Sequence, residues 1–184
     1  QFNNNAGSIT FATSTTLRGE VSSSNSLVGA NAGDNVGQNT VRTLGSGSFA
    51  VVTPNFNSSA GAITFTNGRD ARATGVIGSG NSLVGANPGD GLGSSVVNMG
   101  GGRFYSRSDN GGLGSVTFFG AGTSFTGTVD QTNSLVGSIS GDNPTASATA
   151  NSSDSTTGRP MSWLIVSTPI TIRNITRTSI PPNR

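Results

Sequence analysis

The sequence predicts an all-β fold made of three tandem repeats, on three observations. First, Asn25-Ser26-Leu27-Val28-Gly29 returns as Asn81-Ser82-Leu83-Val84-Gly85 and as Asn133-Ser134-Leu135-Val136-Gly137, at intervals of 56 and 52 residues. Each copy is trailed by a Gly-Asp pair, at Gly33-Asp34, Gly89-Asp90 and Gly141-Asp142. A period of this length marks supersecondary units that bury their apolar faces on one another. Second, the chain holds 28 Gly, one Glu and no Lys, so turn residues abound and helix formers are scarce. Third, apolar and polar residues alternate in short runs bounded by Gly, the period of a half-buried strand.

Each unit is expected to hold about four antiparallel strands, like a propeller blade. In the first, residues 1–54, Ile9 and Phe11 mark one strand and Leu17, Gly19 and Val21 a second. The NSLVG segment then leads through the Gly-Asp turn to a hairpin, Val41 to Leu44 and Phe49 to Val52, split by Gly45-Ser46-Gly47. Thr53-Pro54 closes the unit, because proline lacks the donor a central strand needs.

Residues 55–110 repeat the plan: Ile63 and Phe65, Gly75 and Ile77, then Val96, Met99 and Phe104 around the turn Gly100-Gly101-Gly102. The closing strand has decayed to Tyr105-Ser106-Arg107-Ser108 and is expected to be shorter or more exposed. Residues 111–169 are a looser third copy, with Val116 and Phe118, then Phe125, Gly127 and Val129. After Asp142 the pattern breaks at Asn143-Pro144, and the Ser/Thr/Ala/Asn-rich stretch 143–158 reads as a loop insertion. Trp163 to Val166 recovers the closing strand. Residues 170–184 form an extra C-terminal strand, with Ile170 and Ile172 in alternation and Ile175 after a slip, before Pro181-Pro182 forbids pairing. All of this is expected to form one compact domain.

Charge and reactive side chains narrow the function. The ten basic residues are all Arg, and a net charge of +2 spread along the chain is not the clustered footprint of a nucleic-acid binder. Cysteine is absent, which excludes disulfides and thiolate metal sites. No apolar run is long enough to cross a bilayer, and Gln1 reads as a processed or truncated start. A Ser/Thr/Asn-rich chain without Lys or Cys suits the outside of a bacterial cell.

The order of a Val strand, a Gly-rich turn, Phe-x-Val-Val-x-Pro and then AG-x-I-T-F resembles the FG-GAP type of β-propeller repeat. The NSLVG and Gly-Asp portion is similar to the roughly fifty-residue repeats of filamentous-haemagglutinin-like bacterial surface proteins. Together they cover the chain nearly to residue 169. The FG-GAP resemblance implies a calcium loop between the middle strands, but here those positions read Leu44-Gly45-Ser46-Gly47 and Met99-Gly100-Gly101-Gly102, with no carboxylate for a hard cation. No metal or cofactor is therefore expected. Three units are also too few for an ordinary closed propeller. Closure by another chain, a three-fold trefoil or prism, and stacking into a solenoid all remain open.

Without His, Cys or Lys, the usual general base, thiolate nucleophile and Schiff-base amine are missing, and no enzyme is expected. Asp34, Asp90 and Asp142 recur in register and could do acid and base work as paired carboxylates. A short carboxylate after Gly more simply bonds nearby backbone in a turn. Asn25, Asn81 and Asn133 could line a sugar groove or form a ladder that satisfies backbone. Trp163 sits in the most apolar strand, where burial in a core or an interface suits it.

These readings lead to an extracellular structural protein. The expected subunit self-assembles into a surface filament or layer, with Ile170, Ile172 and Ile175 adding a strand to a neighbour and Trp163 near the contact. The alternative is a secreted adhesin or glycan-binding module whose loops face a cell-surface ligand.

Overall fold

Short strands dominate the computed structural model, which describes residues 4–11, 18–38, 41–45, 47–66, 73–120, 125–153 and 160–167. In chain order they are β1 (Ser8–Ile9), β2 (Leu27–Val28), β3 (Val41–Gly45), β4 (Ser48–Thr53), β5 (Ala62–Thr66), β6 (Gly75–Val76) and β7 (Ser82–Val84). There follow β8 (Ser95–Gly100), β9 (Arg103–Ser108), β10 (Ser115–Phe119), β11 (Gly127–Thr128), β12 (Leu135–Val136), β13 (Thr145–Ser153) and β14 (Pro160–Ser167). The chain is all-β and repetitive.

The I-T-F strand of the second and third copies pairs antiparallel with the closing hairpin before it and the NSLVG strand after it, while among the described residues β1 of the first copy pairs only with its NSLVG strand. Thus Ile63 of β5 faces Val52 of β4 and Leu83 of β7, and β10 lies between β9 and β12 in the same way. The short G-x-V strand of the following copy then adds in parallel: β6 joins β2 with Leu27 opposite Gly75, and β11 joins β7 with Leu83 opposite Gly127. The resulting sheets run β1-β2-β6, β11-β7-β5-β4-β3 and β12-β10-β9-β8, with β13-β14 as a separate hairpin. A complete sheet therefore draws strands from three successive copies. Among the described residues no strand of the third sheet pairs with the first.

Alternation along the middle sheet fills a core on each side of it. Val51, Ala62 and Val84 pack with Leu27, Val36 and Ile77 towards the first sheet. Leu44, Ala50, Ile63 and Leu83 pack with Leu92, Phe104, Phe119 and Val129 towards the third. There Phe104 stacks on Phe119 with ring centroids 4.7 Å apart, an arrangement that adds about 0.5–1.5 kcal/mol beyond area burial. Beyond the third sheet the core thins to Tyr105 and Val116, with Met99 beside them.

A left-handed turn carries the chain from one closing hairpin into the next I-T-F strand. Asn57, Ser58 and Ser59 have φ of 47°, 55° and 64°, matched by Asn4 and Asn5 before β1 and by Asn110, Gly111 and Gly112 before β10. The segment Phe56–Ser59 is hydrogen-bonded like one helical turn but is left-handed at Asn57 and Ser58. Such backbone costs roughly 1–2 kcal/mol per non-Gly residue, so other contacts must hold it.

Three expectations are corrected. The stretch 143–158 is not simply a loop insertion, because Thr145–Ser153 forms β13 and pairs with β14. Small Ser, Thr and Ala side chains resemble loop composition, while strand formation depends on the partner available. The closing strand of the second copy is as long as that of the first, and Phe104, Tyr105 and Ser106 are buried, with only Arg107 turned outward. Gly19 to Val21 carries no strand, although its equivalents are β6 and β11. Those two pair with the NSLVG strand of the copy before them, whereas among the described residues no strand lies beside Gly19. Ile170, Ile172 and Ile175 lie outside the described residues, and Trp163 stands on β14 opposite Thr149. Among the described residues no helix is long and apolar enough to cross a membrane.

Candidate functional site

The residues singled out by recurrence fall into two fasteners, each built alike in successive copies. The first pins the turn between the G-x-V and NSLVG segments. Asn25 Oδ1 accepts the Ser22 N–H at 2.9 Å and its Nδ2 donates to the Glu20 carbonyl at 2.8 Å. Asn81 does the same with Gly78 and Val76, and Asn133 with Asp130 and Thr128. A side-chain amide has both donor and acceptor, so it can close such a turn from inside.

Each Asn then hands the bond on through the neighbouring Ser. Ser26 Oγ donates to Asn25 Oδ1 at 2.8 Å and lies 2.6 Å from Thr10 Oγ1 on the adjoining strand. Ser82 repeats this with Asn81 and Thr64, and Ser134 with Asn133 and Thr117. Sequence reasoning missed these Ser and Thr residues. Their signal was present, since Ser follows Asn in every NSLVG and Thr follows Ile or Val in every first strand.

The second fastener is the Asp. Asp34 is buried, and its Oδ2 accepts the Ala30 and Asn31 N–H groups at 2.8 Å each. Its Oδ1 reaches 2.9 Å to the N–H of Asn57, the first residue of the next left-handed turn. Asp90 repeats the pattern, taking the Asn87 N–H at 2.7 Å and the Gly111 N–H at 2.9 Å. Each carboxylate thereby ties its own Gly-Asp turn to the strained entry of the following copy. Charge-assisted bonds of this kind are about twice as strong as neutral ones.

Asp142 keeps only the local half. Its Oδ2 accepts the Ser138 N–H at 2.6 Å, the Ser138 hydroxyl at 2.9 Å and the Ile139 N–H at 3.0 Å, with no bond onward among the described residues. The Ile139 N–H, then the Ser138 N–H and hydroxyl, hold its carboxyl below the ordinary value of 3.8.

Gly at the end of NSLVG completes the site. Gly85 donates its N–H to the Gly61 carbonyl at 2.9 Å, and a Cβ there would collide with the Ala60 carbonyl. Gly29 and Gly137 make the same close approach in their copies. The three Asn and three Asp residues are thus each engaged with backbone in their own copy, and Asp34 and Asp90 also at the junction with the next, with no hydrogen bond joining one Asp to another among the described residues. Among the described residues no cluster of His, Cys, Asp or Glu could hold a metal.

A family model described as a repeat of unknown function, DUF5650, matches residues 1–38, 43–94 and 106–146. The second match begins within β3 and ends just past the Gly-Asp turn, which is the phase of the middle sheet. No curated protein and no solved structure matches the chain.

Proposed function

The chain belongs to the DUF5650 repeat family, and we propose that it is an extracellular structural protein whose repeats build a surface filament or layer. Its likeness to propeller blades of the FG-GAP type, and to the repeats of filamentous-haemagglutinin-like surface proteins, belongs to the same proposal. The observation that carries it is the sharing of sheets between copies: β6 completes the sheet of the first NSLVG strand and β11 that of the second. Architecture of this kind extends by backbone pairing, without a ligand.

The reading is non-enzymatic. The recurring Asn and Asp side chains that could have done acid and base work, or lined a sugar groove, are occupied with turns and with the entry to the next copy. Their chemistry serves the array. Self-association through strand addition follows, and residues 170–184 are one candidate for the added strand.

Electron microscopy and light scattering over a concentration series test this. Filaments, sheets or growing oligomers are expected. A chain that stays monomeric and instead binds a defined oligosaccharide on a glycan array would replace this reading by that of an adhesin.

A further inference from the structure

The same NSLVG strand meets two different fates. Leu27 and Leu83 are 0 % exposed because the G-x-V strand of the next copy lies beside them, bringing Ile77 and Val129 into the core at 3 % exposure each. Leu135, at the same place in the third copy, is 43 % exposed. Its strand β12 pairs with β10 on one side, and among the described residues with no strand on the other. Ile139, where the earlier copies have Asn31 and Asn87, is exposed as well.

The opposite end of the row carries the matching piece. Val21, the counterpart of Ile77 and Val129, is 42 % exposed. Gly19 nevertheless has φ of 99°, the value its counterparts Gly75 (103°) and Gly127 (104°) adopt in paired strands. Only Gly takes this backbone readily. The Asn25 amide grips the Glu20 carbonyl at 2.8 Å as Asn81 grips Val76 and Asn133 grips Thr128. The segment Gly19-Glu20-Val21 is therefore held in the shape of an added strand with no strand beside it among the described residues. Such preorganisation lowers the entropy lost on binding.

We propose that β12 of one molecule receives the Gly19–Val21 segment of a second copy of this chain, in parallel and in the register already used twice inside the molecule. Leu135 pairs with Gly19 and Val136 with Glu20, as Leu27 pairs with Gly75 and Val28 with Val76. The Val21 N–H donates to the Val136 carbonyl, as Ile77 donates to Val28 at 2.9 Å and Val129 to Val84 at 2.9 Å. The same stacking sets β14 of the first molecule beside β1 of the second, the antiparallel pairing β4 makes with β5. Val21 closes over Leu135. Such a contact joins unlike faces, so it adds subunits head to tail and grows open fibres unless the rotation closes a ring.

This inference rests on the self-association proposed above and names its two surfaces. The test uses the full chain with Leu135→Arg or Val21→Arg, both at exposed positions, with circular dichroism and thermal unfolding to verify that each folds as the parent does. Sedimentation velocity should show each variant losing association by roughly tenfold or more. An equimolar mixture of the two should regain dimers and nothing larger, because one variant keeps an intact Gly19–Val21 segment and the other an intact β12. Assembly that survives both substitutions, or a mixture that stays monomeric while the parent assembles, overturns the edge assignment and leaves the structural reading in place. A parent chain that is monomeric at every attainable concentration overturns both.

Discussion

Replacing Asp34 by Ala is expected to destabilise the protein by about 3 kcal/mol. The carboxylate holds three backbone N–H groups at 2.8, 2.8 and 2.9 Å from a buried position. A hydrogen bond to a charged group contributes about 1.5–3 kcal/mol, and an orphaned buried donor costs about 1–3 kcal/mol. Water entering at the Ala30 and Asn31 side recovers part of this, while the Asn57 side also loses the clamp on a left-handed turn. Summed with that recovery, the loss is about 3 kcal/mol, or a fall in Tm of roughly 6–12 °C for a chain of this size. Urea unfolding followed by circular dichroism reads the change. An unaltered slope with a lower midpoint would mean that the whole row loses stability together, whereas a shallower slope would mean that the first copy separates from the rest. Asp142→Ala is the internal comparison and should lower the midpoint by less than Asp34→Ala does, since it removes only local bonds at an exposed turn and none to a following copy. If Asp34→Ala unfolds within about 0.5 kcal/mol of the parent, the carboxylate is not a fastener and the account of the junction is wrong.

Three further outcomes follow from the same geometry. Gly85→Ala should destabilise by about 3 kcal/mol or more, because its Cβ meets the Ala60 backbone, while Gly33→Ala should lose only about 1 kcal/mol, since only its φ of 86° objects; paired denaturation curves compare them. Thr53 is fully buried and its hydroxyl has no partner among the described residues, so Thr53→Val should be neutral or stabilising by about 1 kcal/mol, and a clear loss of Tm would show that the hydroxyl is used. Asp142 and Asp130 have carboxyls lowered below 3.8 in the folded chain, Asp130 chiefly by the Thr132 hydroxyl and then its N–H. The stability they add is present above pH 3.8 and is lost as pH falls through their lowered values. A carbon-detected NMR titration should place both midpoints under 3.8, and Asp142→Asn should flatten part of the acid limb of stability.

Much of the site could be read before any coordinates. Asn25 and Asp34 recur in register, and the simplest chemistry of a short amide or carboxylate beside Gly is a bond to nearby backbone, which both make. The far ends of those bonds were not legible. Nothing local says that Asp34 reaches Asn57, because that depends on how one copy is laid against the next. Residues 143–158 show the opposite failure: Thr145–Ser153 has loop composition but becomes a strand because β14 pairs with it. Gly19 to Val21 has the pattern of a strand yet pairs with no strand among the described residues.

The amino-acid sequence by itself determined the repeat, the strand type of its pieces and the turns between them, since these rest on the period of apolar residues and on the backbone freedom of Gly, Asn and Pro. Only the tertiary structure decided which strands share a sheet, which of those pairs are parallel and where each fastener ends. The reason is that a strand's edge is satisfied by whatever its neighbour presents. Five identical residues therefore bury Leu27 and Leu83, where a G-x-V strand lies alongside, and leave Leu135 exposed where none does among the described residues.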